Sequence, residues 1–169
     1  MKIIRIFGDV LFAFHYDNEV NNEYERLMDL WTNVAFLKQF AERNAVSYGS
    51  EFIRSILQDA EQIQDFLKNL SERDQPFELY FQPLQHSEYS RLLGFQKGKV
   101  RRSRLRYYAI KIGDNCFVIT GGAIKMSQTM QQHPDTAKEL IKLKAAKTYL
   151  NKNGVFDEDS FYELLIEQS

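Results

Sequence analysis

The chain is poor in cysteine, proline and glycine, and it has no long apolar run. Its 169 residues include one cysteine, three prolines and eight glycines. A single cysteine cannot close a disulfide within the chain or build a cysteine-based metal cage. No apolar run approaches the roughly 18 residues of a membrane-spanning helix, so we expect no membrane segment. Few prolines and glycines leave little room for long flexible joints, and we find no repeat or linker.

The first residues, MKIIRIFGDVLFAFHY, are basic and then apolar, as in a signal peptide. Gly8 and Asp9 interrupt the apolar stretch, and no small-residue cleavage site follows. We therefore interpret the segment as part of the fold. With one cysteine and no export signal, we expect a cytoplasmic protein. A hydrophobic content of 44% and an aromatic content of 14% exclude a disordered chain.

Charge is divided unevenly between the two halves of the chain. Residues 1–85 hold 14 acidic and 8 basic residues, whereas residues 86–169 hold 9 acidic and 14 basic ones, within a net charge of −1. Segregation of this kind suits an anionic partner, most often a nucleic acid. A solvated basic face balanced by the acidic half explains the counts equally well.

Hydrophobic periodicity predicts an α+β chain with a small antiparallel sheet and helices packed on one of its faces. A change of composition near Gln75 and Pro76 divides it into residues 1–75 and 76–169. In the first part we predict a strand or short hairpin over 2–16, a helix over 22–43 and a helix capped by Ser50. In the second part we predict, in order, a strand over 77–84, helical turns over 87–95, a basic loop over 96–104, a hairpin of strands 104–112 and 116–125, a helix from Pro134 and a terminal helix capped by Asp157.

Most candidate functional residues lie between Lys97 and Lys125. Alternate side chains of a strand share a face, so Arg104, Arg106 and Tyr108 are predicted to point the same way. Arg102 continues that row if the strand extends back. Guanidinium groups beside a tyrosine suit a phosphate backbone whose bases stack on aromatic surface. Positive charge on an edge strand also prevents aggregation, which is the alternative explanation.

Glycines and histidines give weaker signals. Gly121 and Gly122 near the end of the last strand predict a β-bulge or a close approach of another group. Their spacing is not that of a phosphate-binding P-loop. His133 precedes Pro134 at a predicted helix start, where it is exposed enough to act as an acid or base. No pair of histidines has the spacing of zinc ligands, so we expect neither a metal site nor a cofactor.

Short motifs cover about residues 77–150. They are Phe81-x-x-Leu84, a basic loop with Lys97 and Lys99, LRYYAIKIGDNCFVITGGAIK (105–125) and HPDTAKELIKLKAAKTYL (133–150). This part of the chain resembles the RelE/HigB-like bacterial toxins, which carry an LR-x-x-Y strand, a hairpin to an apolar strand ending in Gly and Lys, and a helix starting near a proline. The resemblance implies a RelE-like core in residues 76–169, preceded by an N-terminal strand and two-helix extension.

Toxins of this family cleave messenger RNA without a metal ion, commonly on the ribosome, and a partner antitoxin holds them inactive. The resemblance therefore implies an endoribonuclease that uses general acid–base and electrostatic catalysis. It implies catalytic roles for Lys99, Arg106 and His133. Two alternatives stay open, a non-catalytic nucleic-acid-binding module and a protein-interaction module on the same fold. The residues expected to bind RNA are Lys97, Arg101, Arg102, Arg104, Tyr108 and Lys125.

Overall fold

A computed structural model describes residues 1–84, 93–126 and 134–168 of the chain. Within these ranges the chain is α+β, as the periodicity predicts. The strands are β1 (Lys2–Phe7), β2 (Leu11–His15), β3 (Phe81–Pro83), β4 (Gly94–Gly98), β5 (Leu105–Gly113) and β6 (Cys116–Ile124). The helices are α1 (Glu23–Trp31), α2 (Val34–Arg43), α3 (Gly49–Glu72), α4 (Pro134–Lys152) and α5 (Glu158–Gln168), with a 3₁₀ turn at Phe77–Leu79.

All six strands form one sheet in the order β1-β2-β6-β5-β4-β3. Neighbouring strands are antiparallel except β2 and β6, which run parallel from Leu11–Phe117 to Ala13–Ile119. The prediction of a purely antiparallel sheet is therefore wrong. The N-terminal hairpin joins the sheet through the free side of β6, and hydrophobic pattern alone does not encode the direction of such a pairing. Strands from both sides of residue 75 thus share one sheet.

Helices cover both faces of the sheet, so the prediction of one covered face is also wrong. In β6, Phe117 and Ile119 pack in the cluster that includes residues of α1, α2 and α3. The alternate residues Cys116 and Val118 pack in the cluster formed with α4 and α5. Every residue of β6 is buried. A strand buried on both faces reads as a continuous apolar run, and CFVITGGAI is such a run.

The predicted helix over 22–43 is two helices. Asn33 stands between them in extended backbone, and its side-chain oxygen accepts a hydrogen bond of 3.1 Å from the Phe36 backbone N–H. Asn22 caps α1 in the same way, at 3.1 Å from the Glu25 N–H. Asparagine is a strong N-cap because its oxygen satisfies a backbone donor that the first helical turn leaves unpaired. The internal cap at Asn33 therefore ends the continuous helix that the apolar spacing predicts.

The segment after α3 differs from its prediction in two places. The predicted strand over 77–84 is a 3₁₀ turn followed by the three-residue β3, and the first part of the predicted basic loop is β4. Gly98 in β4 allows this packing, since a Cβ atom there would lie 2.0 Å from the Tyr80 ring. The helical turns predicted for 87–95 fall largely outside the described residues, and Gly94 and Phe95 belong to β4.

The C-terminal elements follow their predictions closely. The hairpin of β5 and β6 turns at Asp114 and Asn115, α4 begins at Pro134, and Asp157 accepts a hydrogen bond of 2.8 Å from the Ser160 N–H at the start of α5. At its end, α5 reaches the outer edge of β1. There the Gln168 carboxamide accepts from the Ile3 N–H at 3.0 Å and donates to the Ile3 carbonyl at 2.6 Å. In the described parts of the chain, no helix has the length and apolar character needed to cross a bilayer.

Candidate functional site

Three neighbouring strands bring four basic side chains together at one end of the sheet. Lys97 of β4 is paired with Tyr108 of β5, and Arg106 of β5 is paired with Ala123 of β6. Directly after β6, the Lys125 N–H donates to the Arg104 carbonyl at 2.7 Å. Cross-strand partners share a face of the sheet, and Tyr108 and Ala123 both lie on the α4–α5 face. Lys99 follows β4 by one residue. We call Lys97, Lys99, Arg106 and Lys125 the cationic cluster.

Burial and neighbouring positive charges lower the pKa of two lysines of this cluster, Lys97 and Lys125. Burial, and then the positive charges of Lys99 and Arg106, lower the pKa of Lys97 below its ordinary value. Burial, and then the charges of Arg106, Lys97 and Lys99, lower the pKa of Lys125. Adjacent like charges disfavour the protonated form of an amine, and a bound anion relieves that repulsion. The cationic cluster is therefore a site of concentrated positive potential.

Arg106 is held at the centre of the cluster by backbone carbonyls. Its Nη1 donates to the Ser103 carbonyl at 2.6 Å and to the Leu105 carbonyl at 3.0 Å. Its Nε is buried and has no hydrogen-bond partner among the described residues. Burial lowers the pKa of Arg106, while Tyr108, Tyr80 and Asp59 act in the opposite direction. A guanidinium keeps its charge at any ordinary pH, so this side chain is a fixed and oriented cation.

The other predicted arginines do not extend the row of Arg106. The strand β5 begins at Leu105, so Arg102 and Arg104 lie outside the strand on which the prediction places them. Arg102 lies in the exposed turn between β4 and β5 and has a left-handed φ of 66°. Arg101 is exposed in the same turn. The Arg104 guanidinium lies over the Phe52 ring of α3, with its carbon 5.8 Å from the ring centroid, and thus turns away from the cluster.

Tyr108 does not offer the stacking surface predicted for it. The Tyr108 side chain is 1% exposed, so its ring cannot offer a surface to a stacking base. Burial raises the pKa of its hydroxyl to about 12, with Arg106 acting against the shift and Glu139 adding to it. Tyr108 is therefore part of the hydrophobic core next to the cluster and not a binding surface. His133 lies outside the described residues.

A second polar group, which no sequence motif indicates, lies next to Tyr108. It contains Glu23 and Arg26 of α1 with Glu139 and Lys142 of α4, and we call it the buried charge network. Arg26 Nη2 donates to Glu23 at 2.9 Å, Lys142 bridges to Glu23, and Lys142 Nζ lies 3.4 Å from Glu139. Burial alone would raise the pKa of Glu23, but Arg26 and Lys142 lower it. Burial raises the pKa of Glu139. The network joins the two helical layers across β6.

The paired glycines of β6 make room for this network. Tyr108 pairs with Gly121 and Ala109 with Ile119, so Thr120 is the extra residue of a β-bulge, as the sequence predicts. A Cβ atom on Gly121 would lie 1.9 Å from Glu139 Oε1, and one on Gly122 would lie 2.5 Å from the Arg106 carbonyl oxygen. Glu139 Oε1 accepts from the Gly122 N–H at 2.8 Å. Glu139 thus caps β6 beyond its pairing with β2.

Two open cavities lie elsewhere on the surface. One of about 570 Å³ is lined by residues of β1 and α5, including Arg5 and Tyr162. The other, of about 300 Å³, is lined by residues around the start of α1, including Glu19 and Arg26. Neither includes a member of the cationic cluster. Over the described ranges, no group of three or more His, Cys, Asp or Glu side chains is placed to hold a metal ion.

We compared the chain with protein-family models, with curated proteins and with solved structures, and none of the three comparisons gives a match. The function of the chain is therefore inferred from the cationic cluster and its surroundings.

Proposed function

We propose that the cationic cluster binds the phosphate backbone of single-stranded RNA, and that the chain is a toxin-like endoribonuclease held inactive by an antitoxin partner. The observation that carries the proposal is the convergence of Lys97, Lys99, Arg106 and Lys125 from three adjacent strands. Ammonium and guanidinium groups are the side chains that neutralise phosphates. The resemblance to RelE/HigB-like toxins supports the choice of RNA cleavage.

The chemistry needs a base, an acid and a cation around one phosphate. The ribose 2′-oxygen forms a bond to the adjacent phosphorus and gives its proton to the base. The bond from phosphorus to the 5′-oxygen then breaks, and the acid protonates that oxygen. Arg106 is positioned to stabilise the extra negative charge that develops on the phosphate. The products are a 2′,3′-cyclic phosphate and a free 5′-hydroxyl.

Lysine amines are suited to the two proton transfers. A lysine becomes an effective base when neighbouring charge lowers its pKa toward the working pH. Lys97 and Lys125 both show that direction of shift. The neighbouring Lys99, in its protonated form, can supply the proton to the leaving oxygen. A catalytic role for His133 stays a prediction.

Cleavage and binding of fluorescently labelled RNA, with and without ribosomes, test the proposal. We expect the chain to bind RNA with a steep salt dependence, with a slope of about −3 in log K against log salt if four phosphates are contacted. Arg106→Ala should weaken binding about tenfold and slow cleavage by about 10²-fold or more. The matched control is Lys38→Ala, which removes an exposed positive charge from α2. It should change neither quantity.

Three outcomes would decide between the alternatives. Cleavage that stops when the 2′-hydroxyl at the cleaved position is replaced by hydrogen supports the endoribonuclease. Binding that Arg106→Ala weakens, without cleavage in any condition, overturns the enzyme and favours the nucleic-acid-binding module. No RNA binding at low salt overturns both and leaves the protein-interaction module.

A further inference from the structure

Asp59 of α3 contacts the turn that leads into β5. Its Oδ2 accepts a hydrogen bond of 3.3 Å from the Arg104 backbone N–H. Burial raises the pKa of this half-buried carboxyl, while hydrogen bonds from the Arg104 backbone and the Ser103 side chain, and the charges of Arg104 and Arg106, act against that shift. The contact is notable because α3 belongs to the acidic half of the chain and lies on the opposite face of the sheet from α4.

The same turn holds the Arg106 guanidinium. The Ser103 carbonyl accepts from Arg106 Nη1 at 2.6 Å, and the Ser103 hydroxyl accepts from the Leu105 N–H at 3.0 Å. Ser103 itself is 5% exposed. The position of the guanidinium therefore depends on the position of the Ser103 carbonyl, which belongs to the same peptide group as the Arg104 N–H that Asp59 holds.

Charge gives Asp59 a second effect on Arg106. Arg106 and two lysines of the cationic cluster repel one another, since the charge of Arg106 is among the causes that lower the pKa of Lys97 and of Lys125. Three groups raise the pKa of Arg106: the buried phenols of Tyr108 and Tyr80, and the carboxylate of Asp59. At neutral pH a carboxylate is the ionised group of the three, so Asp59 offsets the repulsion within the cluster.

We propose that Asp59 is a positioning residue for Arg106. Its carboxylate fixes the turn at Ser103 and Arg104 and balances the local positive charge, so that the guanidinium is presented to a phosphate in one orientation. The inference rests on the proposed function of the cationic cluster, and it gives the acidic helix α3 a part in that site.

Two variants of Asp59 separate its hydrogen bond from its charge. Asp59→Asn keeps an oxygen that can accept from the Arg104 N–H and loses the charge, whereas Asp59→Ala loses both. The matched control is Asp65→Asn, which removes a negative charge from an exposed position of the same helix. Misplacement of a positioned group lowers kcat more than it raises KM, and we expect a loss of about tenfold or more in kcat for Asp59→Ala. Asp59→Asn should lose less, and Asp65→Asn should match the wild type.

A double-mutant cycle identifies the partner. If Asp59 acts through Arg106, Asp59→Ala should have little further effect on cleavage when Arg106 is already alanine. Equal effects of Asp59→Ala in both backgrounds, or activity of Asp59→Ala equal to that of Asp65→Asn, would show that Asp59 is not a positioning residue for Arg106.

An arm without RNA separates this inference from the proposed function. The side-chain Nε–Hε NMR signal of Arg106, assigned by its loss in Arg106→Ala, reports how firmly the guanidinium is held. Asp59→Ala should increase hydrogen exchange at that signal about tenfold or more because local opening becomes easier, while Asp65→Asn leaves it unchanged. An unchanged signal in Asp59→Ala overturns the inference whatever the RNA result. A changed signal in a protein that neither binds nor cleaves RNA overturns only the proposed function.

Discussion

At the scale of single residues, the end of β6 shows how little space the site leaves. Gly122 lies between β5 and the helix α1. An added Cβ atom would meet the Arg106 carbonyl oxygen at 2.5 Å and the Leu27 side chain at 2.9 Å. Backbone oxygens move only with their strand, so any larger residue must displace β5 where it carries Arg106.

We therefore expect Gly122→Ala to lower the free energy of unfolding by about 2–3 kcal/mol, because overpacking a closed site forces the backbone to shift. Gly49→Ala is the control, since no atom lies within 4 Å of a Cβ at that position. It should be neutral or slightly stabilising. Urea unfolding of the two variants measures the difference, and equal midpoints would show that β6 has room to adjust.

Lys97 and Lys125 of the cationic cluster should make stability depend on pH in a defined direction. The folded pKa of Lys125 lies below its ordinary value of 10.5, so the unfolded chain binds more protons as the pH approaches that value. Stability from this residue is therefore present above 10.5 and is lost as the pH falls through the folded pKa. Lys125→Gln should remove this part of the pH dependence and stabilise the protein at pH 7 by no more than about 0.5 kcal/mol, since the group is largely solvated.

Unfolding of Lys125→Gln, measured from pH 7 to pH 10, checks this expectation against Lys38→Gln, an exposed lysine of α2. The two variants should differ in slope, with Lys38→Gln parallel to the wild type. Destabilisation by Lys125→Gln at pH 7 would contradict the repulsion described for the cluster.

At the scale of elements, local caps decide where helices begin and end. α1 and α2 are separate because Asn33 accepts from the Phe36 N–H and thereby starts a new helix. The first turn of a helix leaves backbone donors unpaired, and a capping oxygen satisfies one of them. A break of this kind changes the direction of the chain without any glycine or proline.

Asn33→Ala should lower the free energy of unfolding by about 1 kcal/mol through loss of that cap. Asn33→Asp keeps an oxygen acceptor at the same place and should be close to neutral. Thermal unfolding of both variants measures the effect. A loss as large in Asn33→Asp as in Asn33→Ala would mean that the amide nitrogen, and not the oxygen, stabilises the junction.

The sequence predicts the elements whose signals are local and fails where partners are distant. The hairpin of β5 and β6 and the helix α4 follow from turn residues and periodicity, and the bulge at Thr120 follows from the glycine pair next to it. The break at Asn33 is missed because the apolar stripe continues across it. The parallel pairing of β2 with β6 and the contact of Asp59 with Arg104 are missed because each joins residues more than 40 positions apart.

The prediction of the candidate site also succeeds for some residues and fails for others. Lys97, Lys99, Arg106 and Lys125 are predicted site residues, and the structure brings them together. Arg104 is drawn to Phe52 and Tyr108 is buried, although alternation along an extended strand placed both in the row with Arg106. Strand alternation holds only where the strand is formed, and β5 begins one residue after Arg104.

At the scale of the whole molecule, one sheet separates two hydrophobic cores, and each core packs against one of its faces. Trp31 and α3 pack on one face, while Leu143 and α5 pack on the other. Because each central strand contributes alternate side chains to both cores, neither core keeps its face of the sheet if the other unfolds. We therefore expect the described parts of the chain to unfold as one cooperative unit.

Leu143→Ala tests this cooperativity from the face opposite Trp31. Leu143 is 0% exposed, and its truncation should lower the free energy of unfolding by about 3 kcal/mol. Unfolding followed by Trp31 fluorescence should shift as far as unfolding followed by far-ultraviolet circular dichroism. A Trp31 transition that stays at its wild-type midpoint would show that the two faces unfold separately.

The contact of Gln168 with Ile3 bears on whether copies of this protein aggregate through the exposed edge of β1. An exposed strand offers its neighbours a template for further pairing, and a long row of such templates leads to fibrous growth. Here the Gln168 carboxamide already hydrogen-bonds both backbone groups of Ile3. An approaching strand therefore cannot pair with β1 at that residue.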